Sequence, residues 1–85
     1  MIYVMTGGDR LKNAFTEALG IAPGTDFEGL EYAKTEGWDS AAHMNLVAEI
    51  ESSFDIMLAT EDVIDMSSFH KARAIVAKYG VSLDS

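Results

Sequence analysis

Asp39, Ser40 and His43 bring an acid, a hydroxyl and an imidazole together within little more than one helical turn of this 85-residue chain. One chemistry open to such a trio is nucleophilic catalysis. The three residues stand too close in sequence for the usual separated triad, and no Gly-x-Ser-x-Gly turn presents the serine, so a hydrolase reading is disfavoured. A second is covalent tethering. Ser40 falls where a loop gives way to a helix, beside backbone N–H groups without intrahelical partners and at the positive end of the helix dipole, which would stabilise a phosphoryl group on its oxygen. The plainest reading is that the Asp-Ser pair only caps the helix. His43 lies in the apolar stripe of that helix, which favours a packed structural histidine. His70 has no partner at metal-ligand spacing, so a zinc site is not expected. The stretch starting at Asp26 fails as a calcium loop, because Glu31 and Gly37 stand where a glycine and a glutamate are required. No metal is expected.

A helix must position these residues, and the sequence supplies one. From Ser40 onward His43, Leu46, Val47, Ile50 and Phe54 recur on one face while Asn45, Glu49 and Ser52 lie opposite, predicting a helix that ends near Phe54. Ser40 sits at the rim of the apolar stripe. Upstream, Leu11, Ala14, Phe15, Ala18 and Leu19 predict a first helix over about 9–19, with Asp9 as its N-cap, Gly20 as its left-handed stop and Ile21 packing back on its last turn. Residues 1–5 read either as an extended tail or as an extra start ahead of Met5. Residues 21–38 contain the only proline, Pro23, together with Gly24, Gly29 and Gly37, and read as a long connection held down by Phe27, Leu30, Tyr32 and Trp38. Thr60 is expected to cap a short third helix with Glu61 and Asp62 in its first turn and Val63, Ile64 and Met66 as anchors. Ser67 or Ser68 caps a fourth, whose buried stripe is Phe69, Ala72, Ile75, Val76 and Tyr79 and which Gly80 ends. The expected fold is all-α: one domain over residues 1–85, core about 9–80, forming a small four-helix bundle with a long loop between helices 1 and 2.

Composition narrows the function classes further. With 48% hydrophobic and 24% charged residues the chain has material for a core, so disorder is disfavoured, and its length leaves little room for an elaborate catalytic cleft. Nothing approaches the ~18 apolar residues of a membrane span, and no basic segment precedes an apolar one as in a signal peptide, so a cytoplasmic location is the default expectation. Cysteine is absent, so any thiol the protein uses has to come from outside its own sequence. The net charge of −8 is concentrated in the middle, where residues 26–65 hold eleven Asp and Glu against Lys34 alone. Nucleic acid would be repelled by that surface, whereas basic protein partners would be steered toward it. Lys71, Arg73 and Lys78 in the last helix read only as charge balance.

The order Trp38-Asp39-Ser40-Ala41-Ala42-His43-Met44-Asn45-Leu46-Val47, then Glu51 and Phe54-Asp55-Ile56, an acidic short helix, and Met66-Ser67-Ser68-Phe69 resembles an acyl carrier protein, or the equivalent domain of polyketide and nonribosomal peptide assembly lines. The resemblance runs from about Leu11 to Tyr79. It implies that Ser40 is esterified with 4′-phosphopantetheine from coenzyme A and that the arm carries acyl or aminoacyl groups as thioesters between biosynthetic enzymes, without catalysis by the carrier itself. It also implies a phosphopantetheinyl transferase as partner, along with a ligase, synthase or transferase that docks through a basic patch on Asp39, Ala41, Met44, Glu51, Asp55, Glu61 and Asp62. Val47, Ile50 and Phe54 are expected to contact an apolar cargo, and a monomer is the simplest assembly. Ala41 stands where the family usually has Leu or Met, and Ala42, Asn45 and Ser52 replace acidic residues frequent in fatty-acid carriers, so the likeness is to stand-alone carriers of specialised pathways. The competing class is an acidic helical interaction module that carries no prosthetic group.

Overall fold

The computed structural model describes residues 6–22 and 25–83. The expectations for residues 1–5, Pro23 and Gly24 lie outside the described residues. Among those described, the fold is all-α: helices α1 (Gly7–Leu19), α2 (Ser40–Phe54), α3 (Thr60–Asp65) and α4 (Phe69–Lys78), with a single 3-10 turn at Phe27–Gly29.

Helix α1 begins two residues earlier than its periodicity predicts. Thr6, not Asp9, is the N-cap: its hydroxyl accepts the Asp9 N–H, and the Asp9 carboxylate accepts the Thr6 N–H in return. This reciprocal pair satisfies two backbone donors and draws two glycines, poor helix formers, into the first turn. Gly7 is also needed for space, since a β-carbon there would collide with the Ser82 carbonyl, whose chain segment crosses the start of the helix. Gly20 ends α1 in the left-handed conformation, as expected.

Leu11, Ala14, Phe15 and Leu19 of α1 meet Leu46 and Ile50 of α2 and Phe69, Ala72, Ile75 and Val76 of α4 in one buried cluster. The long connection is tied into it. Trp38 is 1% exposed and Leu30 4%, while Phe15 meets Trp38 and Phe69 edge-on at 5.4 and 5.1 Å between ring centres. Such edge contacts add to the burial of large rings. Tyr32 differs from the other predicted anchors: it is 37% exposed and lies against the outer edge of Trp38. Its backbone N–H donates to the Ser67 carbonyl at 2.9 Å, and Glu31 pairs with Ser68, so the connection is stitched to the segment between α3 and α4.

With six residues, α3 is too short to hold itself together. The predicted cap is also wrong. Thr60 is the first helical residue and Ala59 the N-cap, with no side-chain bond at that end. Ser68 caps α4 through the Lys71 N–H.

Candidate functional site

Helix α2 starts as predicted, and the two residues of the Asp-Ser pair divide the work. Asp39 is the cap, its Oδ1 accepting the Ala42 N–H at 2.9 Å. Ser40 is the first helical residue and exposed, and its hydroxyl is not the cap. Its Oγ lies 3.2 Å from the Tyr32 hydroxyl across the end of the long connection.

Behind that contact stands a chain of rings. The Tyr32 ring meets His43 edge-on at 5.2 Å, and His43 stacks on Trp38 at 6.0 Å. Trp38 Nε1–H donates to His43 Nδ1 at 3.0 Å. Because indole can only donate, Nδ1 must accept, and the imidazole proton therefore sits on Nε2. From there it donates to the Val63 carbonyl of α3 at 2.8 Å. His43 thus ties α2 to the long connection through Nδ1 and to α3 through Nε2, as the structural reading of its position expects.

A cavity of about 260 Å³ opens beside these residues, lined by Tyr32, His43, Val63, Ile64 and Met66. The residues expected to touch cargo lie elsewhere. Val47 and Ile50 are 5% and 0% exposed, Phe54 packs against the core, and none of the three lines this cavity. Most of the apolar face of α2 is consumed in packing against its neighbours, and the cavity takes only His43 from it, with Tyr32 from the connection, Val63 and Ile64 from α3 and Met66 just after. Ile64, read from sequence as an apolar anchor of α3, is instead 74% exposed and lines this cavity, because the core does not take it up.

The acidic face is smaller than the sequence suggests. Asp39, Asp55 and Glu61 are exposed, as are Ala41 and Met44. Asp55 closes α2 in the left-handed conformation, which Asp tolerates better than most residues. Glu51 is half-buried, and its carboxylate accepts the Leu58 N–H at 2.9 Å, fastening the turn after α2. Asp62 is 5% exposed and does not belong to a docking face at all. Its two oxygens take Lys78 Nζ and the Tyr79 hydroxyl, each at 2.6 Å, and the same hydroxyl accepts the Ala59 N–H at the start of α3. Lys78, read as charge balance, is therefore one half of a clamp between α3 and α4.

The Lys78 ammonium, and after it the Tyr79 hydroxyl, hold the Asp62 carboxyl below its ordinary pKa, while Asp62 raises both Lys78 and Tyr79. A carboxyl lowered on folding stabilises the fold above its unfolded pKa of about 4, and that contribution is lost as pH falls through the folded value. The raised pair acts in the opposite sense, contributing below about pH 10 and fading as pH rises beyond it. Asp62→Asn is expected to lower the unfolding midpoint at pH 7, and the gap to wild type should close as pH drops below 4. Urea titrations followed by circular dichroism from pH 3 to 7 read this directly, and a gap that stays constant with pH would rule out the clamp.

No helix among the described residues is long and apolar enough to cross a membrane. No family model, curated protein or solved structure matches the chain.

Proposed function

We propose that the protein is an acyl carrier of the phosphopantetheine-dependent kind, with Ser40 as the attachment residue and a four-helix bundle of acyl-carrier type as its scaffold. The observation that carries the reading is the Ser40 oxygen, exposed on the first residue of a 15-residue helix and relieved of capping by Asp39. The surroundings fit the group. A phosphodiester on Ser40 would sit at the positive end of α2, where first-turn N–H groups favour negative charge. The cavity alongside offers apolar wall from Val63, Ile64 and Met66. When bound, 4′-phosphopantetheine supplies the terminal thiol that a chain without cysteine lacks.

The protein's own residues then hold, orient and present. Trp38 and His43 keep α2 and α3 in register under the attachment residue, and the Asp62 clamp fixes α3 from the far side. Asp39, Asp55 and Glu61 provide an exposed negative rim for partners with a basic patch, the transferase and an acyl ligase or synthase among them. Weak electrostatic docking of this kind speeds encounter and permits exchange, while a flexible tether raises the local concentration of whatever it carries.

Incubating the protein with coenzyme A, magnesium and a broad-specificity phosphopantetheinyl transferase, then measuring intact mass, tests the reading. A gain equal to the arm, located on the Ser40 peptide, is expected. A chain left unaltered by several transferases would favour the acidic interaction module instead.

A further inference from the structure

We infer that Tyr32 is the positioning residue for modification at Ser40, an assignment that rests on the carrier reading. Its hydroxyl lies 3.2 Å from Ser40 Oγ. A tyrosine 37% exposed in a long connection would ordinarily be free to turn, but this one is fixed from three sides. Its ring stands edge-on to both Trp38 and His43. Its backbone N–H is bonded to the Ser67 carbonyl. The next residue, Ala33, is held at φ 65° with its N–H on the Trp38 carbonyl. A left-handed alanine is a strained conformation that persists only where the surroundings enforce it, and here it marks the backbone next to Tyr32 as held in place.

The chemistry gives the hydroxyl a task before and after the transfer. In the transfer, Ser40 Oγ forms a bond to phosphorus and the pyrophosphate P–O bond of coenzyme A breaks. The electron pair leaves with adenosine 3′,5′-bisphosphate, and the serine proton passes to a base of the transferase. Beforehand, the Tyr32 contact holds the serine oxygen against the connection and so narrows its choice of rotamers. Afterwards Oγ has no proton to give, so the pair persists only with Tyr32 as donor, either to Oγ or to a phosphodiester oxygen. A bond to a charged acceptor is the stronger one. The attached group is thereby directed toward the cavity of which Tyr32 is one wall.

Tyr32→Phe keeps the ring and its contacts and removes the oxygen alone, so the fold is expected to survive, as an unchanged circular dichroism melt would verify. With a phosphopantetheinyl transferase and coenzyme A, kcat for the variant is expected to fall about fivefold, the worth of one hydrogen bond, with KM for the carrier within about twofold of wild type. The ³¹P resonance of the modified variant should be displaced from that of modified wild type. Equal kcat, a loss confined to KM, or coincident ³¹P resonances would each overturn the role given to Tyr32 while leaving the carrier reading intact. A wild-type protein that gains no mass would overturn both.

Discussion

Ser40→Ala is expected to lose the mass gain completely while its unfolding free energy stays within about 0.5 kcal/mol of wild type, because the one bond it loses, to the exposed Tyr32 hydroxyl, is replaced by water. Two results are needed together because a serine at a helix start has two possible uses. If the hydroxyl served as the cap, its removal would cost about 1 kcal/mol. In this protein the cap belongs to Asp39, whose carboxylate takes the Ala42 N–H. The stability cost should therefore move to Asp39→Ala, at about 1 kcal/mol in urea titrations, and the variant should still be modified, only more slowly. Ser40→Ala that still gains the arm would place attachment on another hydroxyl. A destabilised Ser40→Ala with wild-type Asp39→Ala would reverse the division of labour between the two residues.

Trp38→Ala should be the most damaging change to the fold, at about 3–5 kcal/mol in urea-induced unfolding. The ring is 1% exposed, and it meets Phe15, Tyr32 and His43. Its loss opens a void where α1, α2 and the long connection converge. Trp38→Phe separates packing from hydrogen bonding, since it refills much of the volume but leaves His43 Nδ1 without its donor. That variant is expected to cost about 1–3 kcal/mol. In Trp38→Phe the Val63 carbonyl, which can only accept, is expected to keep the imidazole proton on Nε2, which ¹⁵N spectra of the histidine ring read. A Trp38→Phe protein whose His43 populates the Nδ1–H tautomer would show that Trp38, not Val63, sets the proton's place.

The parts of this fold that sequence makes legible are those governed by one local period. The apolar spacing from His43 to Phe54 gives α2 both its bounds, because a run of core contacts on one face leaves no other register. The start of α1 was less visible. Asp9 is a good cap in isolation, and only the reciprocal bond with Thr6 turns it into the third helical residue. Asp62 reads as one more surface acid because its partners, Lys78 and Tyr79, lie 16 and 17 residues further along, and no local pattern announces such a meeting. The cavity wall was hidden for a related reason. Tyr32 and Ile64 come from an aperiodic connection and from a helix of under two turns, and they line one cavity where residues 31–32 pair with 67–68. The place of Ser40 at the start of α2 was legible because the boundary of this strongly periodic helix is written locally.

The chain has a single tryptophan, and it lies one ring away from the wall that Tyr32 and His43 raise beside Ser40. Nature has in effect built in a fluorophore. A shielded indole emits at shorter wavelength than a wetted one, so the native emission of Trp38 can follow the filling of the neighbouring hollow in real time, with no dye attached and no enzyme turning over.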